Sequence, residues 1–260
     1  MERRELGDGG YVLTSAAMER AGFLVAFTER TGGVSTEPRF SSLNLSYSSG
    51  DESSLVARNR EHVTMTLGTG PFTVGGQVHG AAIAEIDATL AGRGFDGPEG
   101  VIANTDGLTT ASAGISVAVA TADCAPVVLA SEPEGRIAVI HSGWRGTAAG
   151  IVEKGLSLFT DAATVIGAVG PCAGGCCYEV DDALVDQVDA GVAGDAVVRR
   201  SPTGRPFLDL AATIAGSLRS LGVGTVETAD LCTIHEEERF FSHRRQGPCG
   251  RQFAIGMRMG

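Results

Sequence analysis

Three side chains stand where chemistry can concentrate: His79 in "GGQVHGAA", Cys124 in "TADCAPVVL" and His141 in "IAVIHSGWRG". Strand-like apolar runs in soluble proteins ordinarily end in Gly, Asn, Asp or Ser, because those residues turn the chain. Here a thiol and an imidazole take such positions, and the small residues around all three permit close approach of another segment or a ligand. The separations, 45 residues from 79 to 124 and 17 from 124 to 141, match no finger-type zinc spacing. A His, Cys, His set nonetheless suits zinc and leaves a fourth position for water or substrate. Without a metal, Cys124 and His141 read as nucleophile and base. Taken singly, each also reads as a core thiol or a structural histidine. Asp123 reads as a turn residue, and Asp106 in "ANTDGL" as an Asx-type turn.

Arginine supplies the second pattern. The segment "RFFSHRRQGPCGRQF" gathers Arg239, Arg244, Arg245 and Arg251 in a chain of net charge −11. Guanidinium groups suit phosphate or carboxylate, and the alternative is a solvated face. Arg145 follows His141 by four residues just ahead of an expected helix start, a natural anion position. The "CAGGCC" cysteines, Cys172, Cys176 and Cys177, read as small residues of a Gly-rich loop rather than a second metal site. Cys232 and Cys249 read as isolated.

The elements that must position these residues are partly legible. "GFLVAFTERTGGVS" predicts a strand running into a Gly-Gly turn, and the Ser- and Asn-rich segment after it predicts a long site-lining loop. Leu55, Val56, Val63 and Leu67 predict a helix with Asp51 or Ser53 as N-cap. "PFTVGGQVHGAAIAEI" predicts strand, kink, strand. "GISVAVATADC", "GRIAVIHSGWRG", "TVIGAVGPC", "VETADLC" and "RQFAIGMRM" predict further strands. "TAAGIVEKGLSLF" predicts a helix capped by Thr147, "DDALVDQVDAG" another, and "DLAATIAGSLRSLG" a third capped by Asp209. Several consecutive strands lack an intervening helix, so a mixed sheet with helices outside is expected.

The totals set outer limits. A chain of 260 residues with 43% hydrophobic and 20% charged residues can bury a substantial core. The acidic balance opposes broad nucleic-acid binding but not a small anion in a local basic pocket. No apolar run follows the early arginines as a secretory signal requires, and none is long enough to span a membrane. Six cysteines in a chain this size suggest reduced thiols and a cytoplasmic location.

Read together and in order, "FTERTGGVS", "LNLS", "ARNR", "QVHG", "TADCAPVVL", "HSGWRG", "GPC…CCYEV" and "FFSHRRQGPCGR" resemble the multicopper polyphenol oxidase (laccase)-like family, which includes the peptidoglycan-editing factor. The resemblance runs from about residue 22 to about 255. It implies a single α/β domain over residues 1–260, a layered α-β-β-α sandwich with mixed sheets, similar to a toxin fold with a Cys–His hydrolase site. It further implies zinc on His79, Cys124 and His141, and a substrate or phosphate site at Arg245 with Arg244 beside it. "TER" replaces the commoner Thr-Arg, which leaves the role of Arg30 open, and His243 stands where Tyr is common.

The function so implied is zinc-dependent phosphorolysis of purine nucleosides (adenosine, inosine, guanosine, methylthioadenosine), with adenosine deaminase activity beside it. In the first reaction an arginine-held phosphate attacks ribose C1′; in the second, a water activated by zinc attacks the purine ring. A Cys124–His141 amidase editing peptidoglycan precursors is the metal-free rival, and it has no need of His79. A copper-dependent polyphenol oxidase is the weaker alternative, because the chain has only 5 histidines. The expected partners are nucleoside and phosphate, with no nucleic acid and no membrane, acting on a monomer.

Overall fold

Short apolar runs build two sheets at the centre of the chain. The computed structural model describes residues 1–260. In chain order the strands are β1 (Glu2–Gly7), β2 (Gly10–Thr14), β3 (Phe23–Thr28), β4 (Phe72–Val74), β5 (Ile83–Glu85), β6 (Gly107–Thr110), β7 (Ser116–Thr121), β8 (Ala125–Ser131), β9 (Arg136–Ser142), β10 (Ile166–Val169), β11 (Val198–Arg200), β12 (Pro206–Leu208), β13 (Thr225–Thr228) and β14 (Gln252–Arg258). The helices are α1 (Ala16–Arg20), α2 (Ser53–Leu67), α3 (Trp144–Ala148), α4 (Ile151–Leu156), α5 (Asp182–Asp189), α6 (Leu210–Ser220) and α7 (His243–Gln246).

Two six-stranded sheets carry the fold, in the orders β1-β2-β3-β14-β7-β4 and β13-β10-β8-β9-β6-β5. Both are mixed: β4 runs parallel to β7 in the first, and β5 to β6 and β10 to β13 in the second. Strand β8 shows how the layers separate. Its alternate residues point to opposite faces. Val127 and Leu129 join a core with Ile151, Leu156, Ile214 and Leu218 from the helices on one side. Val128 and Ala130 join a second core with Val25, Phe27, Val117 and Val119 of the other sheet. The outer face of that first sheet packs Ala118, Phe253 and Ile255 against Val63 of α2 and against Leu43 and Leu45. The order of layers is therefore helix, sheet, sheet, helix, as the resemblance implied.

Local chemistry departs from the sequence reading at two helix starts. The N-cap of α2 is Glu52, which makes no side-chain capping bond. Asp51 instead accepts hydrogen bonds from Ser35 and Asn44, holding the long loop. Thr147 does not cap a helix but lies inside α3, its hydroxyl donating to the Gly143 carbonyl. The predicted single helix is broken in two because Gly150 takes a left-handed φ of +71° between α3 and α4. Asp209 does cap α6, accepting the Ala212 N–H at 2.9 Å. The strands β1, β2 and β6 and the hairpin β11–β12 carry no sequence expectation and emerge from the fold. No helix is long and apolar enough to cross a membrane.

Candidate metal centre and its cavity

The register of one strand pair brings thiol and imidazole together. β8 and β9 are antiparallel, with Pro126 opposite His141 and Ala125 opposite Ser142. Cys124, immediately before β8, therefore lies beside His141 near the end of β9. His79 arrives from the segment joining β4 in one sheet to β5 in the other. Cys124 likewise sits where the chain crosses from β7 to β8. The centre thus forms at the rim between the two sheets.

The metal-capable atoms of His79, Cys124 and His141 all lie within 4.8 Å of one another. The two imidazole centroids are 4.9 Å apart and edge-to-face. His141 is buried, Cys124 is half-buried and His79 is exposed. Gly143 makes the room: a Cβ there would fall 2.7 Å from Cys124 Sγ and 3.2 Å from the His79 ring.

Asp106 does more than close a turn. Its Oδ1 accepts the His79 N–H at 2.8 Å, and its Oδ2 accepts the N–H groups of Val78 at 3.1 Å and Gly80 at 2.8 Å. The same Oδ1 lies 2.9 Å from His141 Nδ1. Burial opposes the carboxylate, but His141 and the Gly80 and Val78 amides outweigh it and hold Asp106 below the usual range. An ionised carboxylate only accepts, so Nδ1 is the donor and Nε2 is left for the cavity. One fully buried side chain thereby aims two of the three donors. Gln77 adds a second clamp: its amide donates to the Ala120 carbonyl and accepts the Ala120 N–H, each at 2.8 Å. This ties the His79 segment to the strand that leads into Cys124.

Electrostatics favour a charged pair. Burial works against the Cys124 thiolate, yet His141, with hydrogen bonds from both histidines, brings the thiol down to about 6. Burial likewise opposes the imidazolium of His141, but the Cys124 thiolate and Asp106 raise it to about 9.

The donor set fits a metal ion. Thiolate and imidazole are borderline-soft ligands, and each histidine that binds a metal ordinarily gives its other N–H to a carboxylate, as His141 does to Asp106. His79 supplies the more telling observation. It holds a φ of +61°, a conformation that costs a non-glycine residue roughly 1–3 kcal/mol and persists only when its surroundings enforce it. Here hydrogen bonds from three backbone N–H groups to Asp106 enforce it, and the result is an imidazole beside Cys124 and His141.

These donors open into a cavity of about 640 Å³. Tyr47, Gln77, Asp123, Arg145, Tyr178, His243, Arg244 and Arg251 also line it. Arg145 lies over the Trp144 ring at 4.3 Å. Arg244 lies over the Tyr178 ring at 4.8 Å, and its Nη1 donates to the Glu179 carbonyl. Asp123 has a left-handed φ of +96°, and its carboxylate accepts the Thr233 hydroxyl at 2.7 Å and the Arg244 N–H at 2.6 Å. It is a turn residue that also ties the Thr233 segment and the start of α7 to its own turn. Burial and the nearby Cys124 push the Tyr178 phenol up to about 12, so it stays an O–H donor at neutral pH.

The arginines divide by partner. Arg245 is not among the residues lining the cavity; its guanidinium donates to the carbonyls of Thr233, Ile234 and Phe240 and to Gln246 Oε1. Those bonds hold a loop rather than an anion. Arg239 joins Arg3 on the buried carboxylate of Glu29. Arg30, whose role the sequence left open, donates to the carbonyls of Ser41, Glu237 and Pro38 and so braces two loops. Arg145, Arg244 and Arg251 are the guanidinium groups of the sequence reading that line the cavity, and Arg251 Nη1 donates to the carbonyls of Cys249 and Gly250. Asp106, Gln77, Tyr47 and Tyr178 were not read as site residues. Asp106 offered only a turn-like context, and its role depends on β6 pairing with β9, which no local pattern reveals.

Comparison with known proteins agrees with the fold and the order of motifs. Residues 24–258 match the family described as "Multi-copper polyphenol oxidoreductase laccase". A purine nucleoside phosphorylase of Corynebacterium glutamicum is 35% identical over 235 residues, 88% of this chain and 92% of the relative. The purine nucleoside phosphorylase YlmD of Geobacillus stearothermophilus is 34% identical over 92% of this chain and 91% of its own. The crystal structure of YlmD superposes with a TM-score of 0.92 over 99% of both chains, at 31% identity. With the match spanning both sheets and the segments that hold His79, Cys124 and His141, the chain belongs to the multi-copper polyphenol oxidoreductase laccase family.

Proposed function

We propose that this protein is a zinc-dependent purine nucleoside phosphorylase, with His79, Cys124 and His141 as the ligands. The carrying observation is the convergence of those donors, aimed by Asp106, on a cavity bordered by Arg145 and Arg244. Relatives named purine nucleoside phosphorylase support the reading at about 35% identity. The cavity volume falls in the range of small-molecule sites and accommodates a nucleoside with phosphate. When bound, zinc would act as a Lewis acid and stabilise negative charge developing in the transition state.

The chain's own residues do the rest. Arg145 and Arg244 hold phosphate, where their fixed charge raises its local concentration and orients an oxygen toward ribose C1′. Tyr47 and Tyr178 offer rings against the base or sugar. As the C1′–N9 bond breaks, electrons pass to the purine, and preorganised donors lower the barrier by meeting that charge where it develops. Asp106 and Gln77 keep the histidine segment fixed so that no reorganisation is needed at that moment. The six unpaired cysteines suit a reducing, cytoplasmic setting.

One observation favours a second reading. Cys124, His141 and Asp106 also form a thiolate–imidazole–carboxylate series, the arrangement of a cysteine hydrolase, which supports an amidase acting on a peptidoglycan precursor. The strained His79 and its clamps have no part in that scheme. Base release from inosine, adenosine and guanosine with and without phosphate separates the readings. The phosphorylase requires phosphate, a deaminase releases ammonia from adenosine without it, and the amidase does neither.

A further inference from the structure

Two adjacent thiols and a third from a segment far along the chain meet in a cluster outside the cavity lining. The sulfurs of Cys176, Cys177 and Cys232 lie within 4.8 Å of one another. Cys232, isolated in sequence, is delivered by a short bridge between Cys172 and Cys232 and by the Thr233 N–H donating to the Cys172 carbonyl. Cys176 and Cys177 sit on a tight turn in which the N–H groups of Cys177 and Tyr178 both donate to the Gly174 carbonyl.

The surroundings are shaped around sulfur. The Gly174 N–H donates to Cys232 Sγ at 3.3 Å. A Cβ at Gly174 would lie 3.3 Å from the Cys232 Cβ and 3.6 Å from its sulfur, so glycine lets the turn close over that thiol. Arg199 donates to the carbonyls of Gly175 and Cys176, placing a guanidinium beside the cluster. Its charge offsets part of the negative charge that three thiolates would carry. Cys176 is exposed and the other two are half-buried, so an ion has access from solvent.

We propose that Cys176, Cys177 and Cys232 form a second metal site, a three-thiolate site for a soft monovalent cation of the Cu(I) class. Three sulfurs with no imidazole or carboxylate select soft cations, whereas structural zinc ordinarily takes four protein ligands. A disulfide would pair two sulfurs and leave the third unused. On binding, the thiols lose their protons to solvent and Cu(I) keeps its oxidation state. The ion would link the Cys172–Tyr178 turn to the Leu231–Thr233 segment. Tyr178 lines the cavity and Thr233 holds Asp123, so this link would brace two of its walls. The assignment is independent of the proposed phosphorylase activity.

The test uses full-length reduced protein, titrated anaerobically with Cu(I) against a chromophoric Cu(I) chelator. A Cys124→Ser background removes the first site from the count. The expected result is one Cu(I) retained per chain in that background. Adding Cys177→Ser or Cys232→Ser should weaken retention by more than the roughly 100-fold that losing an outer-shell partner can cost. Because a variant can fail to fold, wild type is also alkylated with and without Cu(I), and its peptides are mapped by mass. Cu(I) should shield Cys176, Cys177 and Cys232 together. No retained Cu(I), equal retention after loss of Cys232, retention of Zn²⁺ but not Cu(I), or unchanged labelling would each overturn the proposal.

Discussion

Among single residues, Asp106 has the widest influence on the centre. Its two oxygens serve three backbone amides and one imidazole. Asparagine keeps one acceptor oxygen and turns an NH₂ group toward donors that need an acceptor. Asp106→Asn is therefore expected to cost about 1–3 kcal/mol of stability and to weaken zinc binding roughly 10–100-fold. Denaturant unfolding and competition with a zinc chelator measure the two effects. Glu29 gives a pH test away from the centre. Burial would raise its carboxyl, but hydrogen bonds from Arg3 and Arg239 hold it below its ordinary value of 4.5. A depressed folded pKa contributes stability above the unfolded value, and that stability is lost as pH falls through the folded value. Glu29→Gln should lower stability by roughly 1–3 kcal/mol at neutral pH, less than a fully buried pair because both arginines reach solvent. The gap in melting temperature between wild type and variant should narrow below pH 4.5. A gap that stays constant would remove Glu29 as the source.

For the elements, the decisive fact is that loops crossing between the sheets carry His79 and Cys124, while a strand carries His141. The strands β7, β9 and β14 are legible in the sequence as short runs of mostly apolar and small residues, because both faces of each are buried. The helix broken at Gly150 was not, because a glycine inside a helical pattern does not announce its φ. Gly143 is the element-level test of how closely these loops meet. A methyl at this position would reach to 2.7 Å from Cys124 Sγ, so the thiol must move while the strands stay paired. Gly143→Ala should leave the circular dichroism spectrum unchanged and, by overpacking of about 1–3 kcal/mol, weaken zinc binding by roughly 10–100-fold. Unaltered zinc affinity would show that the loops have more freedom here than their packing indicates.

At the scale of the whole molecule, two mixed sheets between helical layers hold one polar cavity at their shared rim. The layered fold and the three donors could be read in the sequence through the order of motifs. The pairing of β6 with β9, the Cys172–Cys232 bridge and the bonds from Arg245 to Thr233 and Ile234 could not, since each joins segments separated in sequence. That is why Arg245 reads as an anion ligand while its guanidinium is fixed on loop carbonyls, and why Cys232 reads as isolated while it meets Cys176 and Cys177. The most direct test of the functional account measures zinc content and hypoxanthine release from inosine together, for wild type and His79→Ala, with and without phosphate. The account predicts about one zinc per chain at the three-ligand centre and release that requires phosphate, with both lost in the variant. Release that is independent of phosphate, or undiminished in a zinc-free His79→Ala protein, would contradict it.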